Sequence, residues 1–246
     1  MEEPIFCENI INYLKLEPVI LDIMNLRIER QRINDILAYN SIKNGNLIKN
    51  INVKECERSL HQMNITKEIF LDKCLNDDIF AKCASGRITI NASRQGSHDE
   101  CLQLTTCNIT SSKVGINIEN LSATAFRATK NGEIISYKQF QEQEIQKNDC
   151  LKSFDGKISG KINGWIFAKL VIGDGGHQDN VFEEAHTFCE WVLTYGIETI
   201  YYFVLIDTDL DKKFNELYQK YSNKSNIIIG NHITIQQYFI DNYSLL

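Results

Sequence analysis

The chain has 246 residues, of which 43% are hydrophobic and 24% charged, a composition typical of a globular protein with room for a sizeable core. The formal net charge of −6 argues against simple nonspecific binding of polyanions, because such proteins usually carry a basic surplus. The sequence lacks an apolar run long enough to span a membrane, and the acidic start MEEPIFCENI does not resemble a signal peptide. We therefore expect a cytoplasmic protein without a membrane partner.

The eight cysteines stand singly along the chain. They form no C-x-x-C pair, and no histidine stands at zinc-finger spacing from a cysteine pair. In a reducing compartment, scattered cysteines are mostly small buried apolar residues. We expect neither a disulfide framework nor a zinc site.

Residues 1 to about 85 are predicted to form a helical N-terminal region. Apolar residues recur at helical spacing in two stretches, at Ile5, Ile10, Ile11 and Leu14 and at Val19, Ile20, Ile23, Met24 and Leu26. Thr66, followed by Lys67-Glu68 and an apolar series, indicates a further helix start. We expect this region to supply dimer contacts or arms that wrap DNA.

The chain changes character near residue 86. The stretch GRITINAS (86–93) alternates and contains β-branched residues, which favours a strand. In the following SRQGSHDECLQL, Ser97 and Glu100 fit the S-x-x-E capping box of a new helix. KVGINIENL and GEIISY are typical of short strands, with a turn at Asn131-Gly132.

The last hundred residues give the clearest pattern. SFDGKISG and WIFAKLVI are predicted to be two strands joined by a turn at Asn163-Gly164, and a helix over 177–195 should end at Gly196. A buried strand TIYYFVLID, a helix over 209–222, a short strand NIIIG and a helix over 233–243 follow. Residues 86–246 are thus predicted to be an α/β domain, with a mixed β-sheet flanked by helices.

Two charged residues fall on the predicted strand pair. Asp155 lies in the first strand and Lys169 near the end of the second, and alternation places Lys169 on the same face as Phe167 and Trp165. A buried strand rarely keeps a lysine unless its charge is needed.

The helix after the second strand carries further polar candidates. Its apolar residues, which define the predicted buried face, are Val181, Phe182, Ala185, Phe188, Cys189 and Val192. Gln178 falls near the centre of that face and Glu184 at its edge, whereas Glu183 points towards solvent. Asp155, Lys169, Gln178 and Glu184 are therefore predicted to converge at one end of the sheet.

Such a group suits phosphodiester hydrolysis. Carboxylates hold Mg²⁺, whose charge polarises the phosphate and activates water, and a lysine orients the water or stabilises the developing charge. Oxygen ligands without thiolates favour Mg²⁺ over zinc.

The pattern FDG, WIFAK and GGHQDNVFEEA resembles the PD-(D/E)XK nuclease superfamily, and most closely the type II restriction endonucleases. The resemblance covers about residues 150 to 240 and implies a restriction-endonuclease-like core. It implies that Asp155 is the first metal-binding aspartate and Lys169 the lysine of the (D/E)-x-K element. The sequence departs from the pattern at Phe154, in place of proline, and at Phe167, in place of the second acidic residue.

Several families of these enzymes move the missing carboxylate onto the following helix, where Glu184 is placed and where Gln178 resembles the glutamine of related nucleases. The resemblance therefore implies a Mg²⁺-dependent type II site-specific deoxyribonuclease, a homodimer that cleaves palindromic double-stranded DNA to leave 5′-phosphate and 3′-hydroxyl ends. Asp155 and Glu184 would hold the metal, with Lys169 and Gln178 completing the catalytic set. A structure-specific or repair nuclease of the same superfamily, or a catalytically inactive DNA-binding relic, are the alternatives.

Each residue also has a simpler explanation. Asp155-Gly156 is a common turn dipeptide, and Lys169 can extend from a strand end into water. Gln178 can cap the helix, and Glu184 can be a solvated helix charge. Asp207 and Asp209, which follow a buried strand, can be metal ligands or can cap the next helix. The GDGG segment lacks the G-K-[ST] of a P-loop, so we expect no nucleotide cofactor.

DNA contacts are expected from three further stretches. Arg94, Gln95 and Ser97 lie at a predicted helix N-terminus, which can present N–H groups to a phosphate, and arginine and glutamine also bind base edges. Arg127 and Lys130 lie beside a turn and suit phosphate contacts, and His177 lies beside the glycine-rich loop. The alternatives are a capping box with solvated charges for the first stretch and a polar first-turn residue for His177.

Overall fold

The computed structural model describes residues 16–47, 51–92, 95–122, 124–173 and 176–244. The chain divides into two compact units, one comprising residues 22–99 and the other comprising the described residues 16–21 together with residues 100–246. The helical unit thus runs past the boundary predicted near residue 85. The helix predicted over Ile5–Leu14 lies outside the described residues.

The unit of residues 22–99 is helical, as predicted. Its helices are α1 (Ile23–Lys43), α2 (Val53–Met63), α3 (Lys67–Asn76) and α4 (Asp78–Ile88). Each begins at a side chain that accepts a backbone N–H of the first turn, in order Asp22, Asn52, Thr66 and Asp77. The predicted helix start at Thr66 is confirmed.

The predicted strand GRITINAS is wrong. Helix α4 continues through Ile88, and in the described part of this stretch only Thr89 makes a strand-like contact, an isolated bridge to Ile51. The reason is tertiary packing: Ala81, Ser85 and Ile88 are buried at helical spacing, and the apolar residues among them join the core of the helical unit. Burial on one helical face overrides the β-propensity of the short alternating run.

The second unit is α/β. Its first helix, α5 (Gly96–Ser111), starts within the last residues of the helical unit. The strands are β1 (Ile116–Asn120), β2 (Phe126–Thr129), β3 (Ile134–Ser136), β4 (Cys150–Ser153), β5 (Gly156–Gly160), β6 (Gly164–Val171), β7 (Tyr201–Thr208) and β8 (Ile227–Gly230). The remaining helices are α6 (Tyr137–Glu142), α7 (Gly176–Tyr195), α8 (Asp211–Tyr221) and α9 (His232–Tyr243).

The strands form two sheets. A five-stranded sheet has the order β1-β5-β6-β7-β8, with antiparallel pairing from β1 to β6 and parallel pairing from β6 to β8. The predicted mixed sheet flanked by helices is confirmed. A three-stranded antiparallel sheet, β3-β2-β4, was not predicted. SFDGKISG, predicted as one strand, is divided between the sheets, because β4 ends at Ser153 and β5 begins at Gly156.

Two apolar clusters cover the two faces of the five-stranded sheet. Phe167 and Val171 of β6 pack with residues of α7 and α8, whereas Ile166 and Ala168 of the same strand pack with residues of α5 and α9. The predicted buried face of α7 is confirmed: five of its six residues are buried and Val181 is half-buried. Among the described residues, no helix is both long and apolar enough to cross a membrane.

Candidate active site

Asp155 lies in the two-residue break between the two sheets, not within a strand as predicted. Its N–H donates to the carbonyl of Ile166 and its carbonyl accepts from the N–H of Leu121, each at 2.9 Å. Its carboxylate accepts the N–H of Ala168 at 2.8 Å. Backbone and side chain are therefore both fixed by neighbouring strands, and the side chain is only 11% exposed.

Lys169 connects Asp155 to a second carboxylate. Its Nζ lies 3.0 Å from Asp155 Oδ2 and 2.5 Å from Glu100 Oε1. The side chains of Lys169 and Glu100 are 17% and 22% exposed. The cluster is thus half-buried, and it contains two carboxylates and one ammonium group.

Gly156, the first residue of β5, has no side chain, which lets helix α5 pack close to the start of this strand. A Cβ at Gly156 would lie 3.1 Å from Cδ2 of Leu104 and 3.3 Å from Cδ1 of Ile166. Leu104 is one helical turn after Glu100, so the close packing of Leu104 on Gly156 also carries Glu100 to the end of β6.

A second residue of helix α5, Gln103, forms a hydrogen bond with the backbone of Lys169. The amide nitrogen of Gln103 donates to the carbonyl of Lys169 at 3.0 Å and to Asp207 Oδ2 at 2.7 Å. The other oxygen of Asp207 lies 2.6 Å from Nδ1 of His232. Gln103, Asp207 and His232 are all buried, so this hydrogen-bonded chain lies beneath the exposed side of the cluster.

Burial and the neighbouring charges shift the pKa values of Asp155 and Lys169. Burial raises the pKa of Asp155, as does the charge of Glu100; Lys169 opposes them, and the result is a pKa raised to about 6. Burial lowers the pKa of Lys169, but Asp155 and Glu100 outweigh it and the net shift is upwards. Lys169 therefore remains a cation at neutral pH.

The predicted place of Glu184 beside Asp155 is wrong. Glu184 forms an ion pair of 2.9 Å with Lys152 of β4, and it lines a cavity between β4 and α7. Its carboxylate is therefore directed to the three-stranded sheet. Glu100 of α5 takes the position that the sequence assigned to Glu184.

Phe167, which stands where the resemblance implies an acidic residue, is 3% exposed and stacks on Phe188 with ring centroids 5.8 Å apart. The Lys169 ammonium lies 5.1 Å from the centroid of the Phe167 ring, a cation–π contact. The ring lies against the lysine without separating it from Asp155.

The remaining catalytic candidate, Gln178, lies in the first turn of α7 together with His177, but both side chains fall outside the described residues. Asp207 and Asp209 do not cap the next helix, whose N-cap residue is Leu210. Asp209 instead accepts the N–H of Gly173 in the loop after β6.

The predicted DNA contacts are distributed over both units. In the helical unit, Arg94 lies outside the described residues, Gln95 accepts a hydrogen bond of 3.2 Å from the amide of Asn34, and Ser97 is exposed. Helix α5 already begins at Gly96, so the predicted capping box of Ser97 and Glu100 is wrong.

In the other unit, the guanidinium of Arg127 lies 5.2 Å from the ring centroid of Phe140. Lys130 is exposed and lines the same cavity as Glu184.

Asp155 and Glu100 have the chemistry to hold Mg²⁺. Their oxygens lie 2.5 and 3.0 Å from the same nitrogen of Lys169, so the two carboxylates converge on one point. The described residues contain no group of three or more His, Cys, Asp or Glu side chains suited to a metal. Mg²⁺ commonly uses one or two carboxylates and completes its shell with water and substrate phosphate, so two carboxylates fit.

The chain matches no protein-family model, no curated protein and no solved structure. The site is therefore interpreted from its own geometry.

Proposed function

We propose that this protein is a Mg²⁺-dependent endonuclease that hydrolyses phosphodiester bonds of double-stranded DNA at a short specific sequence, as a type II restriction enzyme acting as a homodimer. One observation carries the proposal: Asp155, Glu100 and Lys169 meet at a half-buried strand end, with both carboxylates within 3.0 Å of the lysine nitrogen. The order Asp155, then Lys169 near the end of the next strand, is the order that the PD-(D/E)XK resemblance implies.

In this proposal Asp155 and Glu100 hold the cation. When bound, Mg²⁺ supplies Lewis-acid polarisation of the phosphate and lowers the pKa of water. Asp155 is kept in position by the N–H groups around it, and Glu100 by the packing of α5 on Gly156. The backbone at both carboxylates is thus fixed before DNA arrives, which favours catalysis.

Lys169 acts on the reacting phosphate. Its ammonium has three N–H donors, of which Asp155 and Glu100 accept two, so within the described part of the chain the third is available to water or to a phosphate oxygen on the exposed side. There the positive charge orients the attacking water and stabilises the negative charge that develops on the phosphate. Gln103, which is itself held by Asp207, donates to the lysine's backbone carbonyl from the buried side.

The alternative is a catalytically inactive DNA-binding protein with the same core. It is favoured by the buried Phe167 at the acidic position, and by the two ion pairs that hold Lys169.

Digestion of phage-sized DNA with the purified protein in Mg²⁺, with EDTA as control, separates these functions. Discrete fragments only in Mg²⁺ support a sequence-specific endonuclease, and the fragment ends then give its site. A smear or nicking contradicts sequence selectivity and supports a structure-specific or repair nuclease. DNA shifted in a gel without cleavage supports the inactive alternative. Light scattering with and without DNA tests the homodimer.

A further inference from the structure

The ammonium group of Lys169 lies at the point where the two carboxylates of the candidate active site converge. Its Nζ is 3.0 Å from Asp155 Oδ2 and 2.5 Å from Glu100 Oε1. The two oxygens are therefore no farther apart than the sum of these distances, and their negative charges repel each other. The positive charge of Lys169 offsets this repulsion, so the lysine is the counter-ion of the carboxylate pair.

A divalent cation held by the same two carboxylates competes with the lysine. Mg²⁺ binds carboxylate oxygens at about 2.0 to 2.1 Å, and it needs the lone pairs that accept the lysine's N–H groups. Two positive charges at such short range also repel each other. Lys169 and the cation are thus alternative partners of Asp155 Oδ2 and Glu100 Oε1.

The backbone of Lys169 is fixed, so only its side chain can give way to a cation. The residue belongs to β6, the middle strand of the five-stranded sheet, and its carbonyl accepts the amide of Gln103 at 3.0 Å. The side chain is a flexible four-carbon stem and is 17% exposed. The ammonium can therefore turn from the carboxylates towards solvent while the strand stays in place.

Phe167 gives the ammonium a neighbour without charge. Its ring centroid lies 5.1 Å from Nζ, and the ring is held by stacking on Phe188. An acidic side chain at this position, which the PD-(D/E)XK pattern implies, would add a third carboxylate near the lysine. An aromatic ring attracts a cation more weakly than a carboxylate does, so Phe167 supports the ammonium without immobilising it.

We propose that Lys169 and the divalent cation compete for Asp155 and Glu100, and that cation binding releases the lysine ammonium towards the exposed side, where the phosphate of DNA would lie. This inference rests on the proposed nuclease function and adds a regulation of the same site, because the lysine is free to reach the phosphate only in the cation-bound protein. The apparent affinity for the cation is lowered by the share of molecules in which the lysine holds the carboxylates.

Variants at position 169 separate charge from shape. Lys169→Met keeps the length of the side chain and removes its charge, Lys169→Gln keeps an N–H donor without charge, and Lys169→Arg keeps the charge. Lys220→Met removes one positive charge from an exposed ion pair with Glu190, and so controls for the change in net charge. Thermal unfolding followed by circular dichroism checks that each variant folds.

Mn²⁺ binding in the absence of DNA, measured by electron paramagnetic resonance of the free ion, gives the affinity without cleavage. We expect Lys169→Met and Lys169→Gln to bind Mn²⁺ at least about 10-fold more tightly than the wild type, because a charged competitor is lost. Lys169→Arg and Lys220→Met should bind like the wild type. Unchanged or weaker binding by the two uncharged variants would overturn the proposal, and so would a lack of Mn²⁺ binding in every protein.

The wild-type protein allows a second measurement that needs no uncharged variant. Nitrogen-15 NMR of the lysine ammonium groups gives the rate at which their hydrogens exchange with water, and the Lys169 signal is assigned by its loss in Lys169→Arg. We expect this exchange to become several times faster as Mg²⁺ binds, whereas the exchange at Lys220 should not change. A constant rate at Lys169 while calorimetry records Mg²⁺ binding would contradict the release of the ammonium.

DNA cleavage separates this inference from the proposed function. Tighter Mn²⁺ binding in the uncharged variants of a protein whose wild type cleaves no DNA would contradict the nuclease function and support the competition. Cleavage by the wild type, together with Mn²⁺ binding that does not depend on the charge at position 169, would contradict the competition alone.

Discussion

Glu100 and Lys169, which lie 69 positions apart in the chain, form an ion pair of 2.5 Å at the end of strand β6. The same ammonium group lies 3.0 Å from Asp155. A pair of half-buried carboxylates held around one lysine is costly to assemble, because each charge loses water on burial. That cost is explained if the two carboxylates and the lysine take part in the function of the protein.

Removing the lysine should separate catalysis from binding. We expect Lys169→Ala to lower the single-turnover rate of DNA cleavage by at least about 100-fold, because the transition state loses a charged donor. DNA affinity, measured by gel shift in Ca²⁺ or EDTA, should stay close to that of the wild type. Lys220→Ala, which removes an exposed ion pair with Glu190, serves as control. A comparable loss of binding in Lys169→Ala would mean that the lysine contacts phosphate without taking part in catalysis.

Two glutamate variants decide which residue completes the metal site. We expect Glu100→Gln to reduce cleavage by at least about 100-fold and to weaken cation binding, since one of two carboxylates is lost. Glu184→Gln, which removes only an ion pair with Lys152, should retain metal binding and most of the activity. Mn²⁺ binding followed by electron paramagnetic resonance gives a measure that does not depend on activity. Loss of Mn²⁺ binding and cleavage in Glu184→Gln but not in Glu100→Gln would support the metal-binding role that the sequence predicted for Glu184.

The origin of the error at Glu184 is geometric. Helical periodicity predicts which face of the helix a side chain lies on. It does not predict which strand of the sheet lies opposite that side chain. Glu184 lies eight residues after the start of α7 at Gly176, which is about 12 Å along the helix axis. At that point the helix lies beside β4 and Lys152, a neighbour that belongs to a sheet the sequence did not predict.

Local pattern was sufficient for other parts of the site. Lys169 was predictable because a charged residue in an apolar strand is conspicuous, and Asp155 because FDG followed by WIFAK resembles the PD-(D/E)XK order. The sequence around Glu100 predicts a capping residue, because nothing near it in the sequence indicates Lys169. Its role depends on α5 packing at Gly156, a contact between distant segments.

The pKa of Asp155 should respond to its two neighbours in opposite directions. It is raised to about 6 in the metal-free protein; Glu100→Gln should lower it and Lys169→Ala should raise it further, whereas Glu184→Gln should leave it unchanged. Carbon-13 NMR of aspartate carboxyl groups measures these values. Equal shifts in the Glu100 and Glu184 variants would contradict the geometry.

The same pKa has a consequence for stability. Because it lies above the ordinary value of about 4, protonation of Asp155 favours the folded state. Its contribution to the unfolding free energy is complete below about pH 4 and is lost as the pH rises through about 6. Urea unfolding from pH 4 to 8 should show this change in the wild type and not in Asp155→Asn. Parallel curves for the two proteins would place the pKa of Asp155 near its ordinary value.

The buried amide of Gln103 should affect both stability and catalysis. Gln103→Leu leaves Asp207 Oδ2 and the carbonyl of Lys169 without this donor, so we expect the unfolding free energy to fall by about 1 to 3 kcal/mol. We expect slower cleavage at saturating DNA with little change in DNA affinity, because the lysine backbone loses its support. Gln237→Leu, which removes an exposed hydrogen bond to Asp241, is the matched control and should change neither. Activity that falls only in proportion to the unfolded fraction would show that Gln103 stabilises the fold without positioning Lys169.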